Sequence, residues 1–211
     1  MTPVNRNAGH KAPSLDSSSS RVRPLMEATL RVIGRIGIEA VTHRAVAAEA
    51  GVSVGAISHY FESRDALVES ALRFAVEREL GRLRALSIEL QSKVFDSKAW
   101  VHALAGWYAR EIESDAETHI ACFEVFLASA RDPRYRDLVR EWFDTYAKTA
   151  ELAMRAAGSD QPVDHARIFV ATLMGLVLQQ LAQRQRRFQH LAGPLLTQLL
   201  QGLVRKRHSR G

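Results

Sequence analysis

Residues 42–61 read THRAVAAEAGVSVGAISHYF, and this stretch decides the fold of the chain. Thr42 carries a hydroxyl that suits the cap of a helix, and Gly51 stands where a helix would end in left-handed backbone. Ser53 is a natural cap for a second helix. Two short helices joined by a glycine turn are the pattern of a helix-turn-helix, so the stretch predicts contact with DNA.

The apolar positions of this stretch assign a face to each helix. In the first helix, the predicted buried stripe is Ala45, Val46 and Ala50, and Ala47 stays small where the second helix crosses it. In the second helix, the residues predicted to face the core are Val52, Ala56, Ile57 and Tyr60, and those predicted to face outward are Val54, Gly55, Ser58 and His59. In a helix-turn-helix this outward face enters the major groove.

The flanking residues narrow the identification. A helix is predicted from Pro24 to Gly37, with Leu25, Ala28, Thr29, Val32 and Ile33 on one face, and HYFESRDAL stands from His59 to Leu67. This arrangement resembles the amino-terminal head of the TetR family of bacterial repressors, in which an aromatic-Phe pair precedes Ser, a basic residue, an acidic residue and Leu. The resemblance covers residues 21–72.

The resemblance implies an all-α fold in which a three-helix DNA-binding head is joined by a long helix to a helical body. We expect a disordered tail over residues 1–20, the head over 21–72, and a ligand-binding and dimerisation body over 73–211. The residues expected to contact a double-stranded operator are Thr42, Arg44, Ser53, Val54, Gly55, Ser58, His59, Tyr60 and Arg64. Many family members carry Lys and Tyr where this chain has Val54 and Ser58, so the operator sequence is not transferable.

The rest of the chain predicts further helices at 63–87, 99–112, 119–130, 134–157, 164–183 and 194–205, with Pro194 in the first turn of the last one. The last two are apolar on most sides. In TetR-like proteins they form the homodimer interface, and the candidates for it here are Leu176, Leu178, Leu181, Leu196 and Leu199. Part of this set is equally suited to the core of the subunit.

Three successive helices of the body carry large aromatic side chains, and the family resemblance implies that they frame a mainly apolar effector pocket. The candidates are Trp100, Trp107, Tyr108, His119, Phe123, Phe126, Trp142, Tyr146, Thr172 and Met174, with His102 and Cys122 as additional members. By spacing alone, an aromatic stripe also suits a packed core. The expected effector is a small, largely apolar molecule that releases the repressor from a palindromic operator.

Composition limits the alternatives. The chain has 211 residues, a formal net charge of +6 and a single cysteine, which excludes an internal disulfide and a Cys-rich metal site. No phosphate loop, H-E-x-x-H or G-x-S-x-G motif is found, so we expect no catalytic residue, metal or cofactor. A metal held by His102, His119 and Cys122 is a minor alternative. The start MTPVNRNAGHKAPS lacks the apolar core of a signal peptide, and the apolar run 168–178 is too short for a bilayer, so a cytoplasmic protein without membrane contact is expected.

Two other functions stay open at this point. One is a constitutive dimeric DNA-binding protein with a solid body, which a body without a cavity would favour. The other is a small helical enzyme, which requires that the head does not bind DNA.

Overall fold

The computed structural model describes residues 21–92, 95–183 and 188–204. These residues form helices without any strand, which confirms the all-α fold. The helices are α1 (Arg23–Ile36), α2 (His43–Ala50), α3 (Val54–Tyr60), α4 (Arg64–Ser92), α5 (Ser97–Ser114), α6 (Ala116–Arg131), α7 (Arg136–Ala156), α8 (Pro162–Gln183) and α9 (Phe188–Val204). Short 3₁₀ turns precede α2 and α7. The predicted disordered tail over residues 1–20 lies outside the described residues.

The caps of α2 and α3 follow from the polar side chains that precede them. The Thr42 hydroxyl accepts a hydrogen bond from the Ala45 N–H at 3.1 Å, and the Ser53 hydroxyl accepts one from the Ala56 N–H at 3.2 Å. Gly51 ends α2 with φ 68° and ψ 31°, the left-handed backbone that favours glycine. The sequence predicted all three features.

The core of the head gathers the apolar faces of α1 to α4. The predicted face of α1 is buried throughout, and Val46, Ala47 and Ile57 are at most 2% exposed. Val52 was predicted to face the core, and this is wrong, because it is 40% exposed. Val52 precedes α3, and its N–H bonds to the Ala47 carbonyl to close α2, which turns the side chain outward.

In the body the long helix α4 packs mainly against α7 and also meets α6. Helix α5 packs against α9, α7 packs against both α4 and α8, and the buried side chains include Tyr108, Met154 and Phe169. Gly158 follows α7 with φ 82°, the left-handed backbone in which a glycine commonly ends a helix. Each fully buried large apolar side chain stabilises the fold by roughly 1.5–3 kcal/mol.

Helix α9 differs from the prediction at its start. It begins at Phe188, so Pro194 lies inside it rather than in its first turn. An interior proline costs about 3 kcal/mol in a helix. Here Phe188 is 4% exposed and Ala192 is fully buried, and burial of this extra turn offsets the penalty.

Helix α8 spans 22 residues. It is therefore longer than the apolar run 168–178, which by itself is too short to cross a bilayer. It is the one helix of the described residues that is long and apolar enough to cross a membrane, a test that core helices of soluble proteins also meet. Only 28% of an 18-residue apolar stretch of this helix is buried inside the subunit. Val163, Ile168 and Leu178 of this helix are 44%, 46% and 50% exposed.

The head is fixed to the body where α1 crosses α6. A Cβ atom built on Gly34 would lie 2.1 Å from the Glu117 carbonyl oxygen, so the two backbones touch with no room for a side chain. An ion pair between Arg35 and Glu117 at 2.9 Å lies beside this contact. A second ion pair joins Asp65 of α4 to Arg134 of the turn before α7 at 2.7 Å. The junction is therefore partly steric and partly ionic.

We expect Gly34→Ala to destabilise the protein by about 1–3 kcal/mol, the usual cost of overpacking, although alanine is the better helix former. Gly81→Ala in α4 is the matched control, because a Cβ there meets nothing within 4 Å. This control should gain up to about 1 kcal/mol. Urea unfolding at equal subunit concentration measures both. Equal stability of the two variants would contradict the close contact.

Candidate DNA-contacting surface and ligand cavity

The outward surface of α3 is the candidate DNA-contacting surface. Val54 is 44% exposed, and Gly55, Ser58 and His59 are exposed beside it, as the sequence predicted. Tyr60 is half-buried and stacks edge-on against His59 at 5.0 Å between ring centroids. Gly55 and Ser58 are small, which leaves room on this surface for close approach of a DNA backbone.

The neighbouring predicted DNA contacts have different surroundings. Arg44 is exposed on α2, whereas Thr42 and Ser53 use their hydroxyl oxygens as helix caps. Ser58 lies 3.3 Å from the His43 ring, measured from its hydroxyl oxygen to Nδ1, which ties α3 to α2.

Arg64 makes contacts that the sequence did not predict. Its Nε donates to the Val41 carbonyl at 3.1 Å, and its terminal nitrogens reach the Ile38 carbonyl and the Asp65 carboxylate. All three guanidinium nitrogens are thus engaged within the head. Arg64 anchors the start of α4 to the turn before α2, and a phosphate would compete with these partners.

A cavity of about 260 Å³ lies in the body. It is bordered by α4, α5, α6 and α7, and its lining consists of Ala75, Arg78, Glu79, Arg82, Trp107, Glu111, Thr118, His119, Cys122, Trp142 and Tyr146. The three aromatic-bearing helices thus frame a cavity as expected, and the body is not solid. The lining also holds two carboxylates and two guanidiniums, which the aromatic pattern did not predict.

The centre of this lining is an ion pair on α4. Arg82 Nε donates to Glu79 Oε2 at 2.9 Å, and a terminal nitrogen of Arg82 donates to the other oxygen. The guanidinium carbon lies 3.7 Å from the centroid of the Trp107 ring and 5.7 Å from that of Tyr108. Both charged side chains are largely buried, with 22% and 15% exposed for Arg82 and Glu79.

Two tyrosines extend the hydrogen bonding of Glu79, the first directly and the second through the first. Tyr146 donates its hydroxyl to the Glu79 carboxylate, and the Tyr108 and Tyr146 hydroxyl oxygens are 2.9 Å apart. Because an ionised carboxylate only accepts, the proton of Tyr146 is committed to Glu79, so Tyr108 donates to Tyr146. The chain Tyr108, Tyr146, Glu79 and Arg82 therefore forms one network.

Burial and this network shift several pKa values. Burial opposes ionisation of Glu79, but the hydrogen bonds from Arg82 and Tyr146 outweigh it and hold the pKa of Glu79 below its usual range. Burial lowers the pKa of His119 and raises the pKa of the Cys122 thiol. At neutral pH the cavity therefore carries an ionised Glu79, a neutral imidazole and a protonated thiol.

The predicted ligand-binding residues take different places relative to the cavity. Those that line the cavity are Trp107, His119, Trp142 and Tyr146, with Cys122 as the additional member. Tyr108 is 1% exposed and does not line the cavity, but its hydroxyl joins the network through Tyr146. Trp100 borders a separate cavity of about 20 Å³, packed on Phe169.

The remaining candidates are not in the lining, which corrects their prediction as pocket residues. Phe123 and Phe126 pack together, and Phe126 supports Trp142 from outside the cavity at 5.1 Å between ring centroids. The Thr172 hydroxyl donates to the Ile168 carbonyl of its own helix, and Met174 packs against the core. Both stand on α8, which does not border this cavity.

The contribution of α4 to the cavity was not predicted from the sequence, where this helix was expected only to join the head to the body. Glu79 stands four residues after Ala75 and four before Leu83, so it lies on the buried stripe of that helix. Arg82 follows at the spacing of a helical ion pair. An acidic and a basic residue at helical spacing on the apolar face of α4 were therefore the sequence signal for this buried ion pair.

The cavity brings His119 and Cys122 together without the third predicted metal ligand. His102 lies on the exposed side of α5, where its Nε2 is 3.0 Å from Gln189 Nε2 of α9. Across residues 21–92, 95–183 and 188–204, no three His, Cys, Asp or Glu side chains cluster in a way that would hold a metal ion.

The predicted interface leucines differ in burial. Leu178 is 50% exposed, and Leu176, Leu181 and Leu199 are partly buried. Leu196 is fully buried within the subunit, so its prediction as an interface residue is wrong. The face of α9 that is exposed instead carries Leu191 and Leu195, at 39% and 43%.

Two family models match the chain. One, described as bacterial regulatory proteins of the tetR family, matches residues 25–71, and the other, described as a tetracyclin repressor-like C-terminal domain, matches residues 96–206. The first covers the helix-turn-helix, and the second covers α5 to α9. Together they account for the head and most of the body.

Individual transcriptional regulators and ligand-binding proteins are also similar to this chain. HdnoR, a nicotine-responsive transcriptional repressor of Paenarthrobacter nicotinovorans, is 28% identical over 145 residues, which are 69% of this chain and 73% of HdnoR. The multidrug binding protein EbrR, solved in complex with ethidium, is 32% identical with a TM-score of 0.58 over 85% of this chain and 98% of EbrR. A transcriptional regulator from Rhodococcus sp. Rha1 shares the fold at 21% identity, with a TM-score of 0.72 over 88% of this chain and 96% of its own.

Proposed function

Because the chain belongs to the TetR family of bacterial transcriptional regulators, we propose that it is a repressor that a small organic cation releases from a palindromic operator. As a member of this family the chain is a ligand-responsive DNA-binding regulator and not an enzyme. The cytoplasm, where its DNA target lies, is its proposed place of action. The observation that carries the ligand class is the Glu79 carboxylate in a cavity walled by Trp107, Trp142 and Tyr146.

The proposed operator contact is the outward face of α3. Val54 is placed to pack against a thymine methyl group, and His59 to donate to a phosphate or a base edge. Two such helices, held about 34 Å apart in a dimer, would read two half-sites on one face of the DNA. Arg44 on the neighbouring helix adds a positive charge for a phosphate.

The proposed dimer uses the exposed apolar faces of α8 and α9. Five large apolar side chains on these helices are 39–50% exposed in the subunit, namely Val163, Ile168, Leu178, Leu191 and Leu195. An apolar surface of this kind on a regulator marks an interaction site, and a second copy of the same two helices would bury it. The predicted candidate Leu178 keeps its place in this interface, and Leu196 does not.

The ligand class follows from the chemistry of the cavity. Aromatic faces beside a carboxylate attract a cation through the ring quadrupole and through charge. Two relatives support this class, since HdnoR is nicotine-responsive and EbrR was solved with ethidium. Nicotine is an organic base, and ethidium is a planar aromatic cation. The largely apolar effector expected from the aromatic pattern thus becomes an aromatic molecule with a positive charge.

A path from the cavity to the head runs through the first turns of α6. Thr118 and His119 line the cavity, and the preceding residue, Glu117, meets Gly34 and Arg35 of α1. A ligand that displaces α6 therefore acts directly on the head. Coupling of about 1–3 kcal/mol between the two sites would change operator affinity roughly 5- to 150-fold.

The experiment compares three molecules of nearly equal shape: benzamidinium, neutral benzamide and anionic benzoate. Operator DNA is first selected from random sequences. We expect benzamidinium to quench tryptophan fluorescence and to lower operator affinity, and benzamide and benzoate to do neither. Glu79→Gln, which keeps the size of the side chain and removes its charge, should abolish the response to benzamidinium while operator binding persists. Preference for benzoate, or no binding of benzamidinium, would overturn the cation class.

A further inference from the structure

We infer that Arg82 is a built-in competitor of the effector: its guanidinium occupies the cation position of the cavity, and a ligand cation must displace it to bind. The inference rests on the proposed function and specifies how the same site is regulated. It assigns Arg82 the role of setting the effector threshold, rather than that of a ligand contact.

The position of Arg82 is that of a bound planar cation. Its guanidinium carbon lies 3.7 Å from the Trp107 ring centroid, and its edge donates two hydrogen bonds to the Glu79 carboxylate. A flat cation on an indole face with a carboxylate at its edge is the arrangement that recognises guanidinium and amidinium groups. The cavity is thus complementary to a planar cation, and in this structure the Arg82 guanidinium is that cation.

The acceptors of Glu79 are already in use. The carboxylate accepts from Arg82 on both oxygens and from the Tyr146 hydroxyl. A second cation would find a neutralised carboxylate as long as Arg82 stays. It gains an ionic partner only when the guanidinium leaves, so binding and displacement are one event.

The charge balance of the cavity leads to the same conclusion. The titratable groups that line it are Arg78, Glu79, Arg82, Glu111, His119, Cys122 and Tyr146. With the imidazole neutral and the thiol and phenol protonated, the two carboxylates balance the two guanidiniums. An added cation would leave a net positive charge in a largely buried space, at a cost that displacement of Arg82 towards water avoids.

When a ligand displaces it, the Arg82 guanidinium would move towards solvent. Its side chain is 22% exposed, so rotation about its flexible stem reaches water. The alternative, the second cavity that it also borders, has a volume of about 20 Å³, which is room for little more than a water molecule. The displaced guanidinium would be hydrated outside the cavity.

Removal of the competitor should therefore strengthen binding of a cation. If the guanidinium occupies the site nine-tenths of the time, its loss raises the apparent affinity about tenfold. We expect Arg82→Gln to bind benzamidinium about tenfold more tightly than the natural protein, and benzamide without change. Titration of tryptophan fluorescence on the full-length protein measures both.

Arg78→Gln is the matched control. Arg78 stands on the same helix, lines the same cavity and carries the same charge, but it does not donate to Glu79 in the network described above. A gain of equal size in both variants would reduce the effect to a general loss of positive charge, and the competitor role would be wrong. A gain confined to Arg82→Gln supports it.

Other outcomes separate this inference from the proposed function. Weaker or unchanged benzamidinium binding by Arg82→Gln overturns the inference, while the cation site stands if Glu79→Gln still abolishes binding in the natural background. Unchanged binding by Glu79→Gln overturns the cation site itself.

If Arg82→Gln does not fold, Arg82→Lys replaces it. A lysine ammonium does not stack on the Trp107 ring as a guanidinium does, and it cannot donate two parallel hydrogen bonds to Glu79. Arg82→Lys should therefore bind benzamidinium a few-fold more tightly. A loss of affinity in Arg82→Lys would contradict the inference.

Discussion

Gly55→Glu is expected to lower operator affinity at least about 100-fold while the dimer stays folded. Gly55 lies on the exposed face of α3, beside Val54, Ser58 and His59. A Cβ at this position meets only the Ser53 hydroxyl, at 3.8 Å, so the subunit has room for a side chain. A carboxylate there would face the phosphates of the groove, where repulsion and bulk both oppose docking.

Fluorescence anisotropy with the selected operator measures this effect, and circular dichroism and sedimentation test the fold and the dimer. Gly81→Glu is the matched control, because the same substitution then falls on an exposed position of α4 outside the head. Its operator affinity should stay within about twofold of the natural protein, since a distant exposed charge is largely screened. A normal footprint for Gly55→Glu would show that α3 is not the recognition helix.

Leu178→Arg is expected to separate the subunits and thereby to remove tight operator binding. Leu178 is 50% exposed in the subunit, so the substitution leaves the subunit core intact. In the proposed interface each dimer would hold two such charges in an apolar contact, at a cost of several kcal/mol. A cost of about 3 kcal/mol already weakens the dimer more than 100-fold, and a monomer contacts only one half-site.

Sedimentation across a range of concentrations measures the dimer, and anisotropy measures the operator complex. Leu127→Arg is the control, because Leu127 is 59% exposed on α6 and lies on neither α8 nor α9. It should leave both measurements unchanged. Leu196→Arg should instead unfold the subunit, since Leu196 is fully buried. An intact dimer for Leu178→Arg would place the interface elsewhere.

The features of the head that the sequence predicted are those with local causes. The caps at Thr42 and Ser53 and the left-handed turn at Gly51 each depend on a side chain and its immediate neighbours. The buried face of α1 follows from apolar residues at helical spacing. Val52 was misplaced because the exact start of α3, one residue after the cap, decides which way its side chain points.

The features of the body that the sequence did not predict depend on packing between distant segments. Proline marked a helix start, but burial of Phe188 and Ala192 carries α9 through Pro194. Leu196 and Leu178 have the same residue type on similar helices, and only the fold assigns one to the core and the other to the surface.

The cavity shows the same limit. Its aromatic walls on α5, α6 and α7 were predicted, but its charged centre on α4 was not. Glu79 and Arg82 are stabilised by Trp107 and Tyr146, which lie 25 or more positions away in the chain. No local pattern brings these residues together, and the ligand class changes with them.

The junction between head and body also makes the protein sensitive to ionic strength. Its two ion pairs join side chains that are 48% and 36% exposed for Arg35 and Glu117, and 55% and 47% for Arg134 and Asp65. Dissolved ions reach both pairs, and the range of their attraction shrinks from about 10 Å at 0.1 M salt to about 3 Å at 1 M. The contact at Gly34 is a matter of shape and does not change. At high ionic strength the ion pairs would therefore contribute less to the alignment of head and body, which the continuous helix α4 and the contact between α1 and α6 would maintain.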